Sequence, residues 1–276
     1  MKLSAGFTII EIVVTILVSS ILAVGVIDYI ADAVNGISAT GNRNQLASSG
    51  RTVVDRLALE LHNAVPNSVR VSAPQPNGDQ CLEYIPFRGA TTYVEAPFTG
   101  SGGTVVSAID FEPDLTLSSP ADVYAIIYPI ATDDIYTAAN PGPVKLVDSI
   151  VDTGGSDGKV TLTLDSTHRF SRRSPVDRLY VAEQPVSFCL TNGQFFRYKN
   201  YGYEAAQCTP ATVDCLPTSA PDRVLISQGI DNTGLQAFRY LPQTLRRNAI
   251  IAFDLNFTSN PDVVRLTHEV TLRNVP

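Results

Sequence analysis

The sequence predicts an α+β protein: a long N-terminal helix whose first half spans a membrane, followed by a globular domain of antiparallel β-sheets. Three observations predict this fold class. Residues 7–27 form an apolar run with a single ionisable side chain, Glu11. A helical repeat of apolar residues continues beyond this run towards Pro66. Residues 66–276 then contain short runs of alternating apolar and polar residues separated by turns, which are typical of strands.

The composition is that of a folded protein and argues against non-specific binding to nucleic acid. Of the 276 residues, 44% are hydrophobic and 17% are charged, which argues against disorder. The chain carries 27 acidic against 20 basic side chains, a formal net charge of -7. Because affinity for a phosphate backbone depends on Lys and Arg displacing counterions, we expect no nucleic-acid partner.

The apolar run has the length of one membrane span. As a helix, residues 7–27 would measure roughly 32 Å, close to the roughly 30 Å hydrocarbon core of a bilayer. Lys2 would keep the N-terminus on the cytoplasmic side. One alternative is a cleaved secretory signal with Ala31 and Ala33 at its cleavage site, but its apolar core would usually have about 7 to 15 residues. The other is a plain uncleaved anchor, which leaves Glu11 without a partner at a cost on the order of 2.5 to 3.5 kcal/mol.

The helix is predicted to extend over residues 7–65, because an amphipathic pattern follows the apolar run. Pro66 ends the pattern, since the residue before a proline is driven towards extended geometry. Two pairs of opposite charges lie four residues apart, Arg51/Asp55 and Arg56/Glu60. Apolar residues recur at steps of seven, four and four along one face: Leu46, Val53, Leu57 and Leu61.

Glycines make the course of this helix uncertain. Each lowers the stability of a helix by about 1 kcal/mol relative to alanine, so we expect a bend or local melting between residues 34 and 50. The glycines are Gly25, Gly36, Gly41 and Gly50.

The remaining residues, 66–276, are long enough to bury one sizeable core. Asn192 and Gly193 read as the tight turn of a hairpin. The spacing between strand-like runs is short and few helical patterns intervene, so antiparallel sheets fit better than parallel ones. The predicted strands lie within residues 81–87, 104–111, 123–128, 159–164, 186–190, 235–240, 249–257 and 263–272.

The segment Gly6-Phe7-Thr8-Ile9-Ile10-Glu11 resembles the processing signal of type IV prepilins. The resemblance implies that residues 1–6 are a leader peptide, and that a prepilin peptidase cuts between Gly6 and Phe7 and methylates the new amine of Phe7. Glu11 then becomes the fifth residue of the mature chain. In a staggered stack of helices its carboxylate can meet the terminal amine of a neighbouring subunit, an attraction that an apolar filament core screens little. We therefore expect Glu11 to determine filament assembly.

A second resemblance is to the MshO-type minor pilins of the mannose-sensitive haemagglutinin (MSHA) pilus, and it covers about a third of the chain. It rests on five short pieces of sequence: Arg56-Leu57, Glu60-Leu61, residues 63–70, Cys81-Leu82-Glu83 and Phe188-Cys189-Leu190. The PilW minor pilins and the GspJ minor pseudopilins share the architecture. The resemblance implies a place in a tip or priming complex, with major and minor pilins and an inner-membrane assembly platform as partners. It also implies a single-pass protein of the bacterial inner membrane whose C-terminal domain is periplasmic, and which reaches the pilus or cell surface after assembly.

Three other functions stay open at this point. A minor pseudopilin of a type II secretion system differs only in the machine that it serves. A tip adhesin and a membrane-anchored periplasmic enzyme or binding protein are alternatives of another class.

The histidines (His62, His168 and His268) are far apart and flank no recognisable nucleophile motif, so we expect no catalytic residues and no enzyme activity. We expect His268 to be half-buried on the apolar face of its strand, beside Leu266 and Val270.

The four cysteines predict disulfides if the domain is exported, because an oxidising compartment preserves them. Four cysteines allow three pairings. Cys208 and Cys215 enclose six residues and pair most economically, which leaves Cys81 with Cys189. A metal site of four thiolates is the rival, but no C-x2-C pair supports it. We expect neither a metal nor a cofactor.

Overall fold

A long helix precedes a β-rich domain, which confirms the predicted α+β class. The computed structural model describes residues 8–110, 122–152, 158–210, 215–243 and 247–272. Gly6 and Phe7, the predicted cleavage and methylation positions, lie outside these ranges. The N-terminal helix, α1 (Ile9–Leu61), is 53 residues long.

Helix α1 is continuous through the glycines, so the local melting considered between residues 34 and 50 is not found. Each glycine is embedded in a long helix in which every residue adds a hydrogen bond, and this outweighs the local cost. The helix ends at Leu61, four residues before the predicted end at Val65. The reason is a competing set of backbone bonds: Val65 N donates to Ile85 O at 2.8 Å, and Phe87 N donates to Asn63 O at 3.0 Å.

The β-rich part has fourteen strands and one short helix among the described residues. In chain order they are β1 (Arg70–Val71), β2 (Gln80–Tyr84), β3 (Phe87–Glu95), β4 (Gly103–Ile109), β5 (Val123–Ile126), α2 (Thr132–Tyr136), β6 (Val144–Asp152), β7 (Lys159–His168), β8 (Arg178–Ala182), β9 (Val186–Thr191), β10 (Gln194–Tyr198), β11 (Arg223–Gln228), β12 (Phe238–Leu241), β13 (Ile250–Ser259) and β14 (Asp262–Thr271).

These strands form three antiparallel assemblies. A five-stranded sheet has the order β1-β2-β9-β10-β11, and a three-stranded sheet has the order β12-β13-β14. Six strands close into a barrel in the order β3-β4-β7-β6-β5-β8. We call the two sheets, with the C-terminal part of helix α1 that packs on them, the body, and the closed set β3 to β8 the barrel.

The barrel is inserted between two neighbouring strands of the body. Strands β2 and β9 pair directly, with Tyr84 opposite Val186. The same ladder continues into the barrel, where Phe87 of β3 lies opposite Ala182 of β8. The whole barrel therefore begins and ends at one point of the five-stranded sheet.

The body and the barrel have separate hydrophobic cores. In the body, Val53, Leu57 and Leu61 of α1 are buried between the two sheets, as their helical spacing predicts. The barrel is filled by its own side chains, among them Val106 and Leu162. A smaller cluster joins the two parts and contains Val65, Ile85, Ile126, Ile135, Tyr136, Tyr180 and Ala182.

The eight predicted strands are present in the described residues, and so is the predicted hairpin. Asn192 and Gly193 both have positive φ, 49° and 73°, which is the geometry of a tight two-residue turn between β9 and β10. The sequence did not predict β1, β3, β6, β8 or β11, and it indicated β10 only as the second strand of the hairpin. Nor did it predict the closure of six strands into a barrel.

Candidate functional site: the exposed apolar half of the helix

Helix α1 begins with a side-chain cap that places Glu11 in its first turn. Thr8 is extended, and its Oγ1 accepts a hydrogen bond from the backbone N of Glu11 at 3.3 Å. This end of a helix favours negative charge because its N–H groups are unpaired. The Glu11 carboxylate is exposed and makes no hydrogen bond or ion pair to a described residue. Within the part of the chain that the structure describes, Glu11 therefore has no partner.

The N-terminal part of α1 presents an apolar surface that nothing in the described chain covers. Every residue from 8 to 38 is exposed. Monomeric soluble proteins rarely expose such a surface. The helix is long and apolar enough to serve as a single membrane anchor. The exposed apolar residues are Ile9, Ile10, Ile12, Val13, Val14, Ile16, Leu17, Val18, Ile21, Leu22, Val24, Val26, Ile27, Ile30, Val34 and Ile37.

The hydroxyl groups of Thr15 and Ser20 on this surface are satisfied within the helix. Thr15 Oγ1 donates to Ile12 O, and Ser20 Oγ donates to Leu17 O, each at 2.8 Å. These groups therefore do not need water or another subunit. The Glu11 carboxylate differs from them because its charge has no such partner in the described residues.

The helix meets the three-stranded sheet at Arg43. The Nε of Arg43 lies 2.7 Å from Oδ1 of Asp262, whose side chain is only 4% exposed. About two turns later, Gly50 lies against Leu266 and Phe257. A Cβ at this position would lie 2.9 Å from the Phe257 ring, so glycine is needed for this close approach. The exposed half thus ends where the helix docks on the body.

Glu60 fastens the C-terminal end of α1 to the five-stranded sheet. Its carboxylate accepts hydrogen bonds from Tyr84 at 2.6 Å, from Arg197 at 2.9 Å and from Arg56 at 3.0 Å. Burial alone would raise the pKa of Glu60, but the Tyr84 hydroxyl and the Arg197 guanidinium outweigh it, so the pKa is lowered. The predicted Arg56–Glu60 pair is present, whereas Arg51 and Asp55, both described, form no ion pair.

A second buried carboxylate holds the sheet beside the barrel. Arg70 Nε lies 2.7 Å from Glu83, and the Tyr201 hydroxyl donates to Glu83 at 3.1 Å. The Arg70 guanidinium also lies 3.6 Å above the ring of Tyr136, in α2. Burial raises the pKa of Glu83, and its hydrogen bond and attraction to Arg70 only partly offset this effect.

The four cysteines form two disulfides, Cys81–Cys189 and Cys208–Cys215. Cys81 and Cys189 are directly opposite each other on β2 and β9, so this bond joins neighbouring strands at the base of the barrel. The presence of two disulfides is typical of a domain in an oxidising compartment.

The histidines lie apart. His62 follows the last residue of α1 and is exposed. His168 is buried with Nε2 3.0 Å from Gly142 O, and burial lowers its pKa. The prediction for His268 was wrong: the side chain is exposed and stacks on Phe253, because β14 is the edge strand of its sheet. The described residues contain no group of three or more His, Cys, Asp or Glu side chains arranged to hold a metal ion.

Sequence reasoning missed the contacts that dock the helix. Arg43 and Asp262 are 219 positions apart, so no local pattern connects them. Gly50 was interpreted as a weak point of the helix, although a Cβ there would meet the sheet.

Comparison with family models, with curated proteins and with solved structures finds no match for this chain.

Proposed function

We propose that this chain is a minor pilin that takes part in the assembly or initiation of a type IV pilus of the MSHA kind, in a tip or priming complex. The observation that carries the proposal is the unpaired Glu11 carboxylate at the start of an exposed apolar helix. The residues around it, Gly6-Phe7-Thr8-Ile9-Ile10-Glu11, resemble a prepilin processing signal. The protein is therefore a substrate of a processing enzyme and is not itself an enzyme.

Processing would supply the partner that Glu11 lacks. Cleavage between Gly6 and Phe7 by a prepilin peptidase leaves a cationic amine, methylated on Phe7, two positions before the first described helical residue. When helices of neighbouring subunits stack with a stagger, this amine and the Glu11 carboxylate of the neighbour can pair inside an apolar bundle. Water is excluded there, so the attraction is screened little and favours one register.

The two halves of α1 fit two different roles, one in the membrane and filament and the other in holding the globular part. Residues 8–38 are exposed, and the apolar stretch 8–27 within them can first cross the inner membrane and then pack among the helices of other pilins. Residues from Arg43 onward are fixed to the body, which would be exported to the periplasm, where its disulfides form, and later displayed on the pilus or cell surface. The partners are the prepilin peptidase, the major and other minor pilins and the inner-membrane assembly platform.

Substitution of Glu11 tests the proposal. We expect Glu11→Ala and Glu11→Gln to abolish incorporation into sheared filaments, measured by immunoblot, while the domain keeps both disulfides and its protease resistance. The matched control is Asp28→Asn, an exposed acid on the same helix beyond the predicted span, which should incorporate normally. Normal incorporation of the Glu11 variants would refute the assembly role.

Processing is tested separately by the intact mass of the chain. In cells with a prepilin peptidase, the chain should lose residues 1–6 and gain one methyl group, and in cells without the peptidase it should stay full length. Mature protein that still carries residues 1–6 would contradict the proposal. Loss of protein secretion with intact pili, in a strain that lacks this chain, would assign it to a secretion system instead.

A further inference from the structure

A cavity lies where the barrel meets the body, far from the apolar half of the helix. Its volume is about 250 Å³, and its chemically distinctive lining residues are Tyr124, Tyr136, Lys145, Asp165, His168 and Tyr203. Tyr203 belongs to the body, in the segment that follows β10, and the other five belong to the barrel. We call this cavity the junction pocket. It is smaller than the roughly 300 to 1,000 Å³ of pockets for drug-sized ligands, so it suits a single small ring.

One side of the junction pocket is aromatic and rigid. The rings of Tyr124 and Tyr203 are 4.2 Å apart between centroids, and Tyr136 lies 6.3 Å from Tyr203. Two of the hydroxyls are fixed: Tyr136 donates to Ser68 O at 2.7 Å and Tyr203 donates to Glu183 O at 3.2 Å. These bonds hold two of the rings in place. Arg70 covers one face of Tyr136, which is buried, so the aromatic area open to a ligand comes mainly from the half-buried rings of Tyr124 and Tyr203. Fixed rings present apolar area to a ligand at little cost in conformational entropy.

The other side carries an ion pair with unused hydrogen-bonding capacity. Lys145 Nζ lies 2.8 Å from Asp165 Oδ1 and 2.7 Å from Ser166 Oγ. An ammonium group has three donors, so one remains without a described partner. The carboxylate of Asp165 likewise keeps free acceptor positions. The side chains of Lys145 and Asp165 are 19% and 37% exposed, so a ligand can reach both.

The charges of the junction pocket balance. Lys145 and Asp165 neutralise each other, and burial lowers the pKa of His168, which is therefore uncharged at neutral pH. The remaining lining consists of neutral polar and aliphatic residues. A neutral ligand is favoured, because a charged one would have to enter a partly buried space with no counter-charge to receive it.

We propose that the junction pocket binds one neutral hexopyranose unit, either as a free sugar or as the terminal residue of a glycan. A pyranose has an apolar face of C–H groups, which the tyrosine rings can cover. It also carries adjacent hydroxyls, each of which can donate and accept. One hydroxyl can accept from Lys145 while its neighbour donates to Asp165, so the free donor and the free acceptor of the ion pair are used together.

Binding is tested on the full chain in deuterated detergent by saturation-transfer difference NMR. The probes are the methyl glycosides of glucose, galactose, mannose and N-acetylglucosamine, each at millimolar concentration, with glucosamine and glucuronate as charged counterparts. We expect transfer to at least one neutral glycoside and weaker transfer to the charged sugars. No transfer to any neutral glycoside, or stronger transfer to a charged sugar, would overturn the proposal.

Variants locate the binding site. Lys145→Met keeps the aliphatic stem but removes the donors, and Tyr124→Ala removes part of the aromatic wall. Each should weaken binding about tenfold or more. Lys199→Met, a lysine outside the pocket, is the matched control and should leave binding unchanged. Undiminished binding by Lys145→Met and Tyr124→Ala would place the sugar elsewhere and refute the assignment.

A glycan array distinguishes the two sources of the sugar. Capture of the full chain by immobilised glycans that end in the preferred hexose, lost in Lys145→Met, identifies a surface glycan as the ligand. Binding of the methyl glycoside without capture by any immobilised glycan identifies a free sugar. Neither result depends on incorporation into filaments, so failure of the pilin proposal and failure of this one are read from different measurements.

Discussion

The body and the barrel are both made of antiparallel strands, but their cores are assembled from different distances along the chain. The barrel core draws on residues 93–181. The body core joins residue 53 of the helix to residue 272 near the C-terminus, with the barrel in between. The comparison teaches that the barrel can form from a continuous piece of chain, whereas the body needs almost the whole chain before its core closes.

The Cys81–Cys189 disulfide gives the largest expected effect and tests whether the two parts unfold together. If they do, the bond closes a loop of 108 residues, and removing it by Cys81→Ser with Cys189→Ser should cost about 5 kcal/mol. If the barrel stays folded while the body unfolds, the barrel itself keeps the strand ends together, and the cost should fall to about 3 kcal/mol. Urea unfolding of the full chain in detergent measures the difference.

The control for this measurement is the other disulfide. Cys208→Ser with Cys215→Ser opens a loop with a sequence separation of 7 and should cost less than either value. Hydrogen exchange read by mass spectrometry reports the body and the barrel separately. Equal losses of protection in both parts would contradict independent folding of the barrel.

Glu60→Gln should destabilise the body by about 3 kcal/mol at neutral pH, because the neutral amide removes the charge opposite Arg197 and leaves one acceptor oxygen for the donors that the carboxylate received on two. The pKa of Glu60 is lowered, so its contribution is present above its ordinary pKa of 4.5 and is lost as the pH falls through the lowered value. The difference between the unchanged chain and Glu60→Gln should therefore shrink below pH 4.5. Unfolding curves across this pH range measure it.

Two comparisons keep that result interpretable. Asp55→Asn alters an exposed acid on the same helix and should change stability little. The pKa of Glu83 is raised, so its contribution to the free energy of unfolding has the opposite pH dependence. That contribution weakens as the pH rises through the raised pKa. Subtracting the curve of the unchanged chain from that of Glu60→Gln cancels the Glu83 effect. A difference that does not depend on pH would contradict the assigned role of Glu60.

Gly50→Val should destabilise the body by about 2 kcal/mol, because the added carbons meet Phe257 and Leu266 in a packed core. Gly41→Val is the matched control, since no described atom lies within 4 Å of a Cβ placed there. Hydrogen exchange should show reduced protection in α1 and in strands β13 and β14, with the barrel unchanged. Equal effects of the two substitutions would mean that the docking contact does not control the position of the helix.

Excision of the barrel has the smallest expected effect on the body. Joining Pro86 to Glu183 through a short turn keeps Tyr84 opposite Val186, so the five-stranded sheet can still form. We expect a cost of about 1.5 kcal/mol, because Val65 and Ile85 lose part of their cover. Circular dichroism and formation of the Cys81–Cys189 bond measure the outcome. An unfolded product would show that the body depends on the barrel.

The sequence predicted the local part of this fold well. Val53, Leu57 and Leu61 repeat with the period of a helix, so the local spacing of apolar residues is enough to predict their burial. The barrel could not be predicted in the same way, because its closure depends on Phe87 meeting Ala182, a pairing that no local pattern specifies. The helix contact of Gly50 was missed for a related reason: the same residue is unfavourable within a helix and necessary at a close approach.

The two candidate sites, Glu11 and the junction pocket, also differ in how far the sequence alone reveals them. Glu11 stands out in the sequence because one charge in an apolar run is visible without a structure. The junction pocket combines Tyr124 with Tyr203, two residues from different parts of the chain that only the fold brings together. A pocket of this kind leaves no periodic signal in the sequence.

The docking of the helix has a mechanical consequence. Arg43 and Glu60 fix the helix to the body at two points separated by roughly 26 Å along its axis. A pull on the free N-terminal half acts parallel to the interface, so the ion pairs and the packed turns between these points bear the load at once rather than one after another. A subunit held in this way resists tension in shear, and it would tear from a stretched fibre less readily than one that is peeled away from its end.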